Sequence, residues 1–133
     1  MVENLTTYIV RSKDIEPRTF LGRTLKSLIT KSTVNASKMN LGLVWIQPGS
    51  MIKPCHSHPE EEESFYILKG EALAWIDGKI IKAEAGDCIF FPQGSKHMVK
   101  NVGMEVLEAL WTFAPPTDPA NYDLHPDIEW PSY

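Results

Sequence analysis

Hydrophobic residues in this chain fall at alternate positions over short runs, and glycine, proline or charge interrupts each run within a few residues. A two-residue period turns one face of a strand toward a core, and no segment sustains the 3.6-residue period of an amphipathic helix. The pattern predicts nine strands, over residues 24–30, 40–47, 52–56, 64–68, 71–76, 79–84, 88–91, 96–101 and 105–113. β-Branched and aromatic side chains, which fit a pleated and half-buried surface, are frequent in them. Asp77-Gly78 separates two of these runs, and because both residue types tolerate positive φ, 71–84 is expected to form one tight hairpin. Lys69-Gly70 and Pro92-Gln93-Gly94 mark further turns. Short strands punctuated this evenly predict an all-β sandwich or barrel.

The two ends read differently. Residues 1–23 are mixed and weakly patterned, which suits an arm with an edge strand. Residues 114–133 hold five of the ten prolines, four acidic residues and no lysine or arginine, so a regular helix or a central strand is not expected there. Tyr122, Leu124, Ile128, Trp130 and Tyr133 give this tail enough apolar anchors to wrap the body. With 133 residues, 43% hydrophobic and 23% charged, there is room for one core. The expected organisation is a single domain over 1–133, its barrel core at 24–113 between the arm and the tail.

Charge and composition narrow the partners. A formal charge of -4 lacks the positive field that draws in phosphate backbones, so no nucleic acid is expected. No apolar run approaches the roughly 20 residues of a membrane helix. The stretch from Met1 to Tyr8 also lacks the basic and apolar regions of a secretory signal. No membrane association and a cytoplasmic location are the resulting expectations. Cys55 and Cys88 are too few for a disulfide framework and read as thiols.

Two of the four histidines stand as His56-Ser57-His58, and on an extended backbone such a pair shares one face at about 6.5–7 Å. A carboxylate follows within five residues, and His97 lies in another predicted strand after a proline-glycine turn. Three nitrogens and one oxygen converging from different strands suit a single divalent transition metal ion: Mn, Fe, Zn, Ni or Co.

At these residues the chain resembles the cupin superfamily, as a small single-domain member. The first motif of that family is carried by Gly49, His56-Ser57-His58, Glu63 and Gly70, and the second by Gly86, Pro92-Gln93-Gly94, His97 and Asn101. One departure occurs: six residues separate Gly49 from His56 where the usual number is five, which implies a turn one residue longer. The motifs span Gly49 to Asn101, and the flanking strands extend the likeness to about 24–113. The resemblance implies a cupin-type double-stranded β-helix, or jelly-roll barrel. It also implies a metal held by His56, His58, Glu63 and His97, a small-molecule substrate and a homodimer. Glu62 sits at an alternative spacing from His58, but the step to Gly70 and the alternation with Phe65 and Ile67 select Glu63.

Other residues carry weaker signals. His125 in the tail reads as a hydrogen-bonded residue, and Glu60 and Glu61 as a solvated loop. Cys55 is out of phase with His56 and is expected to face away from the metal, while Cys88 reads as core. Trp45, Phe65, Tyr66, Trp75, Phe90 and Trp111 read mostly as core, with pocket lining as the alternative. Glu108 interrupts an apolar strand, so it is either a pocket acid or base or a rim glutamate paired with lysine. Four protein ligands leave coordination positions open, which suits catalysis better than a closed structural site. The expected function is a metal-dependent enzyme acting on a small oxygenated metabolite, with dioxygenase chemistry first. An isomerase, cyclase or lyase, and a non-catalytic binding or sensing domain, are the alternatives.

Overall fold

A computed structural model of the chain describes residues 8–131. Residues 1–7 of the predicted arm and the tail anchor Tyr133 lie outside the described residues. Eleven strands run in order: β1 (Arg18–Phe20), β2 (Arg23–Ile29), β3 (Asn40–Ile46), β4 (Met51–Ser57), β5 (Glu62–Lys69), β6 (Glu71–Ile76), β7 (Lys79–Glu84), β8 (Cys88–Phe91), β9 (His97–Asn101), β10 (Leu107–Ala114) and β11 (Asp123–Leu124). They form a six-stranded sheet, β1-β2-β3-β10-β5-β8, and a five-stranded sheet, β11-β4-β9-β6-β7. Every pairing is antiparallel. The fold is the jelly-roll barrel that the strand pattern and the family likeness imply. No helix among the described residues is long and apolar enough to cross a membrane.

Alternation along the strands decides what enters the barrel. In β3 and β10 every second residue is buried, so Val44, Ile46, Leu107, Ala109, Trp111 and Phe113 face inward. They join Leu25, Ile52, Phe65, Ile67, Ala72, Ala74, Ile89, Phe91 and Val99 in one hydrophobic core drawn from both sheets. The Asp77-Gly78 turn has φ of 46° and 90°, the primed geometry whose twist matches the flanking strands, and Ile76 pairs with Lys79 across it. Asn101, at the end of the second motif, is a structural residue. It is 1% exposed, donates to the carbonyls of Ile46 (2.8 Å) and Glu105 (2.9 Å), and accepts from Gly103 N–H (2.9 Å).

Several local features differ from the sequence pattern. Ile52 faces Val99 and His56 faces His97, so four steps along β4 answer two along β9. The long Gly49-to-His56 interval is therefore absorbed by a bulge within β4 and not by a longer turn: Ser50 N–H still closes a tight turn on the Gln47 carbonyl at 3.0 Å. Pro54, which has no N–H to give the ladder, sits in this bulge. Cys88 is exposed rather than core, because β8 buries Ile89 and Phe91 and turns Cys88 and Phe90 outward. Glu61, expected in solvent, is only 7% exposed. A short helix, α1 (Lys31–Val34), was not expected; Thr30 caps it by accepting from Thr33 N–H at 3.1 Å. The tail does pair as a strand, but only as the two-residue edge β11 against β4.

Replacing Asn101 by alanine strips the buried Ile46 carbonyl, the part-buried Glu105 carbonyl and the Gly103 amide of their partners at once. Asn101→Ala is expected to destabilise the chain by about 2–4 kcal/mol in urea unfolding at unchanged slope. A midpoint equal to that of the parent would show that the three bonds are replaceable.

Candidate metal centre

β4 and β9 run antiparallel with His56 opposite His97, so the two side chains rise from one face, and His58 follows two residues along the same strand line. Ring centroids lie 4.5 Å apart for His56–His97, 5.3 Å for His56–His58 and 5.6 Å for His58–His97. One ring nitrogen from each lies within 4.8 Å of the other two, and all three residues are buried. The Nδ1 atoms are already engaged: His56 with the Pro54 carbonyl (3.3 Å), His58 with that of Asn121 (3.2 Å) and His97 with that of Ser95 (3.0 Å). A carbonyl can only accept, so each Nδ1 carries the proton and each Nε2 keeps its lone pair. His97 Nε2 is buried without a hydrogen-bond partner.

The facing sheet brings a carboxylate to the same place. Glu63 of β5 pairs with Phe91 on one side and Phe113 on the other, and shares its inner face with Phe65 and Ile67. Its Oε1 lies 3.5 Å from His97 Nε2 and 3.8 Å from His58 Nε2. Glu62 points outward and is exposed. Donor atoms bound at about 2.1 Å to one ion are separated by roughly 3–4.2 Å, so the set fits a metal with small side-chain shifts. The orphaned lone pair of His97 needs such a partner. Phe91 stacks on His97 at 4.3 Å and Phe113 meets His58 edge-on at 4.7 Å, which fixes both rings.

A small cavity of about 40 Å³ opens beside these groups, lined by Leu25, Val44, Ile52, Phe65, Trp111 and Phe113, with Arg23 and Pro119 also in its wall. Phe65 and Trp111 are thus both core and lining, whereas Phe90 and Tyr66 are exposed on the outer surface. Glu108 does not enter the cavity. It is on the outward face of β10, between the buried Leu107 and Ala109, and accepts from the Trp45 indole N–H at 2.6 Å. The pocket-acid reading fails on strand parity, and the outer-face partner is an indole in place of a lysine.

Three tail residues missed by pattern reasoning shape the site: Asn121 orients His58 through its carbonyl, Tyr122 lies 5.0 Å from His56, and Pro119 is buried in the cavity wall. Nothing local in a proline-rich segment signals such contacts. The apolar residues Tyr122 and Leu124 were the usable hint. His125 ties the tail down, its Nε2 on Ser57 Oγ at 2.8 Å and its N–H on the Cys55 carbonyl at 2.8 Å. Cys55 itself is buried beside tail residues Pro126, Ile128 and Trp130.

A family model described as Cupin domain matches residues 42–113. This chain belongs to the cupin family. The polyketide synthase CurC of Streptomyces cyaneus is 30% identical over 114 residues, which are 86% of this cupin and 73% of that protein. An oxalate-binding protein of Thermotoga maritima is 30% identical over 112 residues, 79% of this cupin and 92% of the relative. A crystal structure of a predicted oxalate decarboxylase, also from Thermotoga maritima, superposes with a TM-score of 0.72 at 28% identity, covering 80% of this chain and 98% of that one.

Burial favours the neutral form of two histidines of this cupin, His56 and His58. His56 is pushed well below its ordinary 6.5, first by burial and then by the neighbouring His97 and His58. His58 is lowered as well, again chiefly by burial, with Glu63 acting in the opposite sense. Below the ordinary value the unfolded chain takes up protons that the folded chain refuses, so stability falls as pH falls from about 6.5. The metal-free protein should lose up to about 1.4 kcal/mol per pH unit for each such histidine. Chemical denaturation between pH 7.5 and 5.5 measures this slope, and His56→Gln should flatten it; equal slopes in parent and variant would contradict the assignment.

Proposed function

We propose that this cupin binds one divalent transition metal through His56, His58, His97 and Glu63, and acts on a small ligand that presents two oxygen donors to it. The observation that carries the reading is the trio of buried Nε2 lone pairs, each set by a backbone carbonyl on the opposite ring nitrogen and faced by one carboxylate. Three imidazoles and one carboxylate suit Mn, Fe, Zn, Ni or Co, and leave positions for a ligand on a five- or six-coordinate ion. When bound, the metal supplies Lewis-acid polarisation of an oxygen on the ligand.

The remaining chemistry belongs to the chain. His56 and His58, whose neutral form is favoured by burial, offer lone pairs to the ion, and His97 and Glu63 complete the set. Phe91, Phe113 and Phe65 keep bulk water away and so strengthen each polar contact made inside. Pro119 and the tail narrow the mouth. Space of about 40 Å³ admits roughly three water-sized groups, so with the tail in place the occupant has few heavy atoms. A large substrate requires the tail to move, whereas a ligand the size of oxalate asks for a far smaller adjustment. None of the relatives named above carries a dioxygenase name, and two carry oxalate in theirs, so non-oxidative chemistry on a small carboxylate stands ahead of the dioxygenase reaction. The homodimer implied by the family likeness belongs to the same proposal, and light scattering at micromolar concentration reads it.

Native purification should return about one transition metal per chain by elemental analysis. Metal at a hundredfold excess over its Kd should stabilise the parent by about 2.7 kcal/mol. His56→Ala and His97→Ala should abolish both effects, and Cys88→Ala, on the outer face of β8, should keep them. Variants that retain full metal content would overturn the ligand assignment. Incubation of the metal-loaded protein with oxalate, with and without O₂, then separates the activities. Turnover that does not need O₂ supports the reading, O₂ consumption returns the dioxygenase, and tight retention without turnover makes the protein a binder.

A further inference from the structure

Arg23 is a cation in the cavity wall for which the fold provides no acidic partner among the described residues. It opens β2 directly after the Leu21-Gly22 turn, and pairs across that turn with Phe20. Gly22 has φ of 83° and its α-carbon packs against the Met51 backbone, so the turn is locked to β4. Cross-strand pairing puts the guanidinium 5.0 Å from the Phe20 ring, and Tyr122 of the tail approaches it from 6.0 Å. The fork is thereby held by aromatic faces, which engage its plane and leave its edge donors free. Of its five donors, one makes a long bond of 3.4 Å to the Leu21 carbonyl.

The contrast with its neighbour is informative. Arg18, on the paired strand, is exposed and meets Asp118 of the tail at 3.3 Å. Arg23 is half-buried, shares its strand face with the buried Leu25, and borders the same cavity as His56, His58 and Glu63. Tyr122 bridges the two groups, 5.0 Å from His56 and 6.0 Å from the guanidinium. The rest of the lining is aliphatic or aromatic apart from the histidines and Glu63, so Arg23 is the group there that can neutralise an anion.

We propose that Arg23 is a specificity-determining residue that binds the carboxylate of a small 2-oxygenated acid, placing the acid's adjacent oxygen toward the histidine–glutamate set. The inference rests on metal occupancy as proposed above and narrows the ligand to its class: the smallest 2-oxo, 2-hydroxy or dicarboxylic acids, of about two or three carbons. A forked guanidinium matches the two oxygens of a carboxylate and gives nothing comparable to a neutral amide.

The test uses the full chain loaded with Co(II), whose visible spectrum reports ligand entry, titrated with pyruvate and with its neutral isostere pyruvamide. The parent should bind pyruvate at least about tenfold more tightly than pyruvamide. Arg23→Gln should weaken pyruvate by about ten- to a hundredfold, while cobalt content and pyruvamide affinity stay within about twofold. Arg23→Lys, which keeps charge but loses the fork, should fall between the two. Equal affinity of the parent for both ligands overturns the inference without reference to any variant. Pyruvate binding unchanged in Arg23→Gln, or an equal loss for both ligands, overturns it as well, the latter marking a merely structural arginine. A parent that takes up no cobalt sinks the metal reading together with this one, whereas cobalt uptake with charge-blind binding sinks this one alone.

Discussion

Three imidazoles crowd into a barrel interior where charge is costly; burial favours the neutral form of His56 and His58 against the pull of their backbone hydrogen bonds, and each of the three rings has its tautomer set by donating Nδ1–H to a main-chain carbonyl. The carbonyls come from Pro54 in the β4 bulge, Ser95 in the turn before β9 and Asn121 in the tail. The tautomer of each ring is thus set by backbone geometry, while Phe91 and Phe113 pack the rings of His97 and His58 in place. What remains is a set of lone pairs facing Glu63 at 3.5–3.8 Å, too far for good hydrogen bonds and suitably spaced for a shared cation. Burial, tautomer and ligand geometry are one arrangement: loosening a carbonyl contact would release the constraint that sets that ring's tautomer and direction.

The barrel contributes the convergence. Histidines rise from the five-stranded sheet, and Glu63 descends from the six-stranded one, flanked by Phe91 and Phe113 across two strand pairs. The two aromatic rings that flank Glu63 also pack on His97 and His58. The sheets are therefore joined at the site by the same apolar contacts that hold the core. On the other edge of β4 the β11 ladder continues past Leu124: the Cys55 carbonyl accepts from His125 N–H, which anchors the tail next to the histidines it helps to orient.

The tail changes the character of the centre. Without Pro119, Asn121 and Tyr122 the histidines would face an open barrel mouth; with them the cavity is small, largely apolar and bordered by one guanidinium. A cation held by aromatic faces at the edge of a metal pocket gives such a site a preference for charge that the ligand set alone cannot supply. Size and charge, not the metal set, would then separate this chain's ligand from those of other cupins.

Much of this was legible in the chain. Strand positions follow from two-residue alternation, the Asp77-Gly78 hairpin from turn chemistry, and the juxtaposition of His56 with His58 from strand parity, all of which act over a few residues. Parity also places Glu63 inward and Glu62 outward once the strand is granted. It did not settle Glu108, because an interrupted apolar run has the same appearance on either face until its partner strand, and here Trp45, is known. Arg23, Asn121 and the bulge at Pro54 were beyond reach for a related reason: each depends on which distant strand or tail segment packs against it. Local periodicity and turn propensity are carried by neighbours in sequence, and so the chain by itself determined the barrel strands and the residues able to bind a metal. Closure of the pocket, the choice of ring tautomer and the orientation of the Arg23 guanidinium were decided only when distant segments, such as His58 and Asn121 at 63 residues apart, were brought together by burial of the shared core.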